Sequence, residues 1–163
     1  MRVCWKIKEG EEILASYCGD ANNFPSKVER QMRLMKTWNF ACNCEVCSLI
    51  GEEFIENEKA RKKITDLHNA IRIKANSDQD ELALQDAKEK LKIMKSMKRE
   101  MILYLSGALM DCCVMAAYCK LPSSSAAKLM KKAKDLSHLH GDLYIYEYHE
   151  REQEWEIGMM GRY

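Results

Sequence analysis

The sequence predicts a mainly α protein, with a short β or irregular segment at the N-terminus followed by a helical bundle. Three observations carry this. Only two prolines and seven glycines occur in 163 residues, while Lys, Glu, Met, Leu and Ala, all good helix formers, are abundant. Beyond position 50 apolar residues recur every three or four places, the helical period. Composition also shifts near residue 50: turn chemistry, Trp5 and Trp38, and five of the eight cysteines lie before it. The chain therefore divides into residues 1–50 and residues 51–163.

In the first unit, RVCWKI reads as a short extended stretch and KEGEE as the turn after it. ILASYC, mixing β-branched, aromatic and small residues, is a second strand candidate. GDANNFP is loop chemistry. Ser26 and Glu29 fit a capping box for a helix over about 26–37, with Val28, Met32 and Met35 on one face. In the second unit, Ile55, Ile64, Leu67 and Ile71 mark a helix over 52–75. Asn76-Ser77 interrupts it, and Asp78 with Glu81 is placed to cap the next. Leu84, Ala87, Leu91, Met94, Met101, Leu105, Ala108, Cys112, Met115 and Cys119 form a long stripe, on one helix or on two broken near Ser96 or Gly107. Leu121-Pro122-Ser123 is a turn. Ala126, Leu129, Met130, Ala133 and Leu136 give the following helix. Gly141 suits the left-handed residue after its end, and a last helix covers about 142–157. Two such antiparallel helices resemble a tetratricopeptide-type pair. No second copy fits a period near 34 residues, so a bundle of helices burying one another's apolar faces is the cheaper account.

Hydrophobic residues make up 47% and charged residues 31%, with a net charge of +1. This is the balance of a globular chain, and it provides no basic field for nucleic acid. MRVCWKIKEGEE lacks the apolar core of a signal peptide, which points to the cytosol or nucleus. In that reducing setting clustered cysteines are metal ligands or buried thiols rather than disulfides. MILYLSGALMDCCVMAAYC, residues 101–119, has about the length of a membrane span. Asp111 near its centre would cost about 2.5–3.5 kcal/mol on insertion, and its apolar positions continue the stripe before it. It reads as a buried core helix, not a span.

The sharpest chemical signal is Cys42-x-Cys44-x-x-Cys47. Thiolates so spaced converge on one ion at about 2.3 Å from each sulfur, and zinc takes four ligands. A fourth could come from Cys4, Cys18 or a histidine, though none stands at an informative spacing. The plainer reading is three reduced thiols in a tight turn. His68, His138, His140 and His149 fall on expected helices and read as surface or half-buried residues. Tyr17 ends a strand candidate; its phenol packs as a half-buried ring or hydrogen-bonds an amine. Trp38 and Phe40, two apart in an extended stretch, share a face. They serve as core packing or as an aromatic wall for a cation or flat ring.

The order GEEILASY, then RQMRLMKTWNFACNCEVC, resembles the C-terminal end of a SET domain and its post-SET cysteine cluster. It is most similar to the SET- and MYND-domain type of protein-lysine methyltransferase, including arthropod and fungal relatives with helical C-terminal regions. The matched residues are Gly10 to Ile13, Ser16, Tyr17, Arg30, Gln31, Arg33, Leu34, Trp38, Phe40, Cys42, Cys44 and Cys47, so the resemblance covers residues 1–47. Residues 51–163 resemble that family's helical C-terminal domain only loosely.

The resemblance implies roles. Tyr17 would be the active-site tyrosine that aligns the substrate amine. Phe40 would pack on the adenine of S-adenosylmethionine, and Trp38 would line the lysine channel. Cys42, Cys44 and Cys47 would be three of the four zinc ligands. The family's Gly-rich cofactor segment, its Asn-His-Cys-Pro-Asn-like segment and its MYND module are not found in this sequence. The expectation is a fragment or partial paralogue of an S-adenosylmethionine-dependent protein-lysine methyltransferase, unable to methylate as this isolated chain. Its partner would be a protein lysine substrate or a peptide, with no nucleic acid and no membrane. The alternative is a non-catalytic helical interaction module with a structural cysteine cluster. A zinc-bound nucleic-acid finger is disfavoured, because no basic helix follows the cysteines.

Overall fold

A computed structural model describes residues 8–10, 17, 24–97, 101, 104–120 and 123–140. Five helices follow in order: α1 Lys27–Trp38, α2 Gly51–Ala75, α3 Asp80–Ser96, α4 Leu105–Tyr118 and α5 Ser123–His140. Among the described residues there is no strand. The extended stretches expected over 2–7 and 13–18 (Tyr17 apart), Gly141 and the helix expected over 142–157 lie outside them.

The expected capping box starts α1. The Glu29 N–H donates to the Ser26 hydroxyl, and the Glu29 carboxylate accepts from the Ser26 N–H at 2.7 Å. Those hydrogen bonds from Ser26 hold the Glu29 carboxyl below its ordinary range. The face that α1 buries is not the one its apolar spacing selects. Val28, Met32 and Met35 are exposed, while Arg30 and Leu34 are buried. Buried Phe24 joins the helical core and meets Tyr104 edge to face at 5.3 Å. The Lys27 N–H donates to the Glu58 carboxylate at 3.0 Å. These contacts carry the N-terminal unit onto α2 across residue 50.

The breaks fall close to their signals, with different chemistry. Asn76 ends α2, but Asp78 does not cap α3: it adopts φ +56°, and Gln79 takes the cap position. The left-handed residue lets a short loop reverse the chain, and Lys74 then reaches Asp86 across the hairpin at 2.5 Å. The long stripe splits after Ser96, not at Gly107. Ile64, Leu67 and Ile71 are buried as spaced, whereas Ile55 is exposed. On α5, Met130 and Ala133 are buried and Leu129 and Leu136 half-buried; the side chain of Ala126 lies outside the described residues.

The principal packing runs α2 on α3, α3 on α4 and α4 on α5. Helix α4 is covered all round, with every residue from Ala108 to Ala117 buried. A helix apolar on all sides belongs in the middle of such a stack. Among the described residues no helix is long and apolar enough to cross a membrane. Asp111 is tolerated at the centre of α4 because Lys90 of α3 donates to its carboxylate at 2.8 Å. The same ammonium lies 3.1 Å from His68 Nδ1 on α2. An ammonium has only donors, so Nδ1 accepts and the ring proton sits on Nε2. His68 is buried, not surface or half-buried as expected, and Lys90 joins three helices.

Candidate metal centre and aromatic cluster

Helix α1 builds the site from one end. It runs through Trp38 and stops at Asn39, which takes the left-handed conformation at φ 55° and donates its N–H to the Met35 carbonyl. Asparagine tolerates this conformation better than most residues. Trp38 is thus helical rather than extended, and the sharp turn at Asn39 redirects the chain before Phe40. Both rings nevertheless meet Tyr17. The Tyr17–Trp38 centroids are 5.6 Å apart and the Tyr17–Phe40 centroids 5.3 Å, each edge to face. Such pairs contribute about 0.5–1.5 kcal/mol beyond area burial. Tyr17 and Trp38 remain 54% and 56% exposed, so the cluster is open to solvent.

Two residues after Phe40 the chain enters the cysteine segment. The Gln31 side chain of α1 clamps its start. Its amide accepts from the Cys42 N–H at 2.9 Å and donates to the Cys42 carbonyl. A turn follows, closed by the Ser48 N–H on the Cys44 carbonyl and by the Ser48 hydroxyl on the Asn43 carbonyl. This fold-back brings the Sγ atoms of Cys42, Cys44 and Cys47 within 4.8 Å of one another. A tetrahedral zinc with sulfurs at about 2.3 Å needs them about 3.8 Å apart. The three therefore fit a metal ion with a small inward shift, and the all-sulfur set suits zinc or another thiophilic ion.

Cys42 and Cys44 are half-buried and Cys47 is buried. Burial works against ionisation of Cys44. Hydrogen bonds from the Cys47 and Val46 N–H groups and the flanking thiols outweigh it, and hold the thiol below its ordinary value. Burial pushes the Cys47 thiol up to about 11, against a hydrogen bond from Arg30. A bound metal would deprotonate both.

Among the described residues no further His, Cys, Asp or Glu joins the three. Cys4, Cys18 and His149, and the side chains of His138 and His140, lie outside the described residues. His68 belongs to the core network. Cys112, the next cysteine in sequence, is buried in α4, where burial pushes its thiol up to about 12.

Sequence reasoning gave no role to Arg30, Gln31 or Glu58, which support the cluster. Apolar spacing marked the opposite face, Val28, Met32 and Met35, so nothing local in the sequence singled out Arg30. Compared with known protein families, with characterised proteins and with solved structures, the chain finds no match.

Proposed function

We propose that residues 1–50 supply the C-terminal part of a SET-type protein-lysine methyltransferase site, with residues 51–163 as its helical, tetratricopeptide-like C-terminal domain. The observation that carries this reading is the meeting of the Tyr17, Trp38 and Phe40 rings at the head of the three-cysteine cluster. In this reading Tyr17 hydrogen-bonds the neutral lysine amine and aligns it. Trp38 walls the alkyl chain of that lysine and sheds water from it, and Phe40 offers a face to adenine. S-adenosylmethionine supplies the electrophilic methyl group when bound. The chain's own contribution is positioning and desolvation. Zinc at Cys42, Cys44 and Cys47 fixes the segment that carries Phe40.

The segments that complete a cofactor pocket in this family are not found in these residues, so the 163-residue chain alone is expected to give no binding heat with S-adenosylmethionine. A gene product carrying an in-frame Asn-His-Cys-Pro-type segment ahead of Met1 should transfer labelled methyl groups to lysine and lose that activity on Tyr17→Phe. Micromolar binding by the chain alone would refute the incomplete pocket. Transfer untouched by Tyr17→Phe would refute the role of Tyr17.

The stacking of α2 to α5, each mainly on its neighbours, favours a second reading. Quasi-linear helical stacks commonly dock peptides, and the chain would then be a non-catalytic interaction module. Partner binding unchanged by Tyr17→Phe, with no methyl transfer, would select it.

A further inference from the structure

We propose that the outer face of α1 is an interface to a second copy of this chain, formed by antiparallel pairing of the two α1 helices about a two-fold axis. Val28, Met32 and Met35 are 65, 67 and 49% exposed. They stand four and three residues apart, the seam spacing of paired helices. Trp38, also exposed, borders the same face. Four of the ten large apolar side chains exposed among the described residues thus lie on one 12-residue helix, which marks a contact surface rather than scattered exposure. The opposite side of α1 is already committed. Leu34 and Arg30 are buried, and Arg30 donates to the Pro25 carbonyl at 2.7 Å and lies 3.8 Å from Glu58 of α2.

Charge selects the occupant. One flank of the seam carries exposed Glu29 and Lys36, about two turns apart and of opposite sign. In an antiparallel pair that flank meets the same flank of the partner. Met32 then packs on the partner's Met35, and Glu29 faces the partner's Lys36, each contact made twice by symmetry. Both Ser26 bonds to the Glu29 carboxylate fall on Oε2, so Oε1 can accept from that ammonium. A parallel pair would set Lys36 against the partner's Gln31, with no opposite charge. A uniformly acidic partner would suit Lys36 and repel Glu29, whereas a second copy satisfies both. Methionine adapts readily to such a mate. The two faces together bury roughly 1,000 Å², less than a standard stable interface, so the dimer is weak and reversible. The inference goes beyond methyl transfer and does not depend on it.

The test is sedimentation equilibrium of the full chain, kept reduced to exclude intermolecular disulfides, at roughly 10–500 µM, the range of a weak contact. The wild type should dimerise reversibly within that range. Met32→Lys puts a charge into the seam of both copies; it should weaken the dimer about 10-fold or more and leave the far-ultraviolet spectrum unchanged. Lys36→Glu faces the partner's Glu29 and should weaken the dimer about 3–10-fold. The swap Glu29→Lys/Lys36→Glu loses the capping carboxylate but restores opposite charges across the seam, so it should dimerise more tightly than Lys36→Glu alone. The two charge variants decide the matter if Met32→Lys fails to fold. A chain that stays monomeric throughout, with α1 covered by another segment or left to another partner, overturns the proposal. So does a dimer indifferent to Met32→Lys, or one that Lys36→Glu leaves unchanged.

Discussion

Replacing Asp111 with leucine isolates the ion pair at the centre of the helical stack. Lys90 and Asp111 are 4% and 9% exposed, and the Lys90 ammonium has two partners, Asp111 at 2.8 Å and His68 Nδ1 at 3.1 Å. Asp111→Leu leaves a buried lysine beside a neutral imidazole. The lysine can stay charged, at the cost of about 3–5 kcal/mol typical of a broken buried pair. Alternatively it can shed its proton. For an ordinary lysine near pH 7 that costs about 4.6 kcal/mol, from about 1.36 per unit below a reference near 10.4. The two routes converge on a loss of about 4 kcal/mol, or roughly 8–16 °C in Tm for a chain of this size.

The pH dependence identifies the cause. If the folded variant sheds the proton that its unfolded chain keeps, the unfolded state binds more protons and stability rises with pH. The penalty relative to wild type should shrink by about 1.4 kcal/mol per unit between about pH 7 and pH 9. Lost packing, or a lysine that stays charged, would leave it constant. Urea titrations of both proteins at the two pH values measure this. The double variant Lys90→Met/Asp111→Leu should recover most of the loss, since an apolar replacement of a whole buried pair is often neutral or stabilising. A single-variant loss below about 1 kcal/mol, or a pH-independent loss that the double variant does not recover, would refute the reasoning.

Ile64 is fully buried in the core, so Ile64→Ala should cost about 2–5 kcal/mol in denaturant titrations, whereas exposed Ile55→Ala should cost little. Asn39→Val places a β-branched residue at φ 55°; it should destabilise by about 1–2 kcal/mol, while Asn39→Gly should be near neutral. Burial pushes Cys112 and Cys113 up to about 12, so in the folded metal-free protein iodoacetamide should spare them and label half-buried Cys44, whose thiol is held below its ordinary value, as peptide mass spectrometry would show. The unfolded chain ionises these two thiols first, so their contribution to stability is complete below about pH 8.5 and should fall steadily as pH rises towards 12.

Much of the helical layout was legible because it rests on local rules. The Ser26–Glu29 box, the break at Asn76 and the burial of Ile64, Leu67 and Ile71 follow from capping chemistry and a 3.6-residue period, which act over a few neighbours. The three cysteines were legible for the same reason: ligands two and three apart can turn onto one ion wherever the segment sits. Other features depended on what lies across a gap. Periodicity marked Val28, Met32 and Met35 as a face, but Glu58 on α2 and the Pro25 carbonyl gave Arg30 partners, and the opposite side turned inward. His68 read as a surface or half-buried residue because nothing near it in sequence shows that Lys90, 22 positions on, would reach its ring.

By itself, then, the sequence determined the helices, their approximate ends and the cysteine cluster, since each is set by interactions within about one turn of chain. Only the tertiary structure decided which face of α1 is buried, how Asp111 is neutralised, and that Tyr17 meets both Trp38 and Phe40. Those outcomes require side chains distant in sequence to meet, and pairing of buried charges and rings is fixed by packing, not by local propensity.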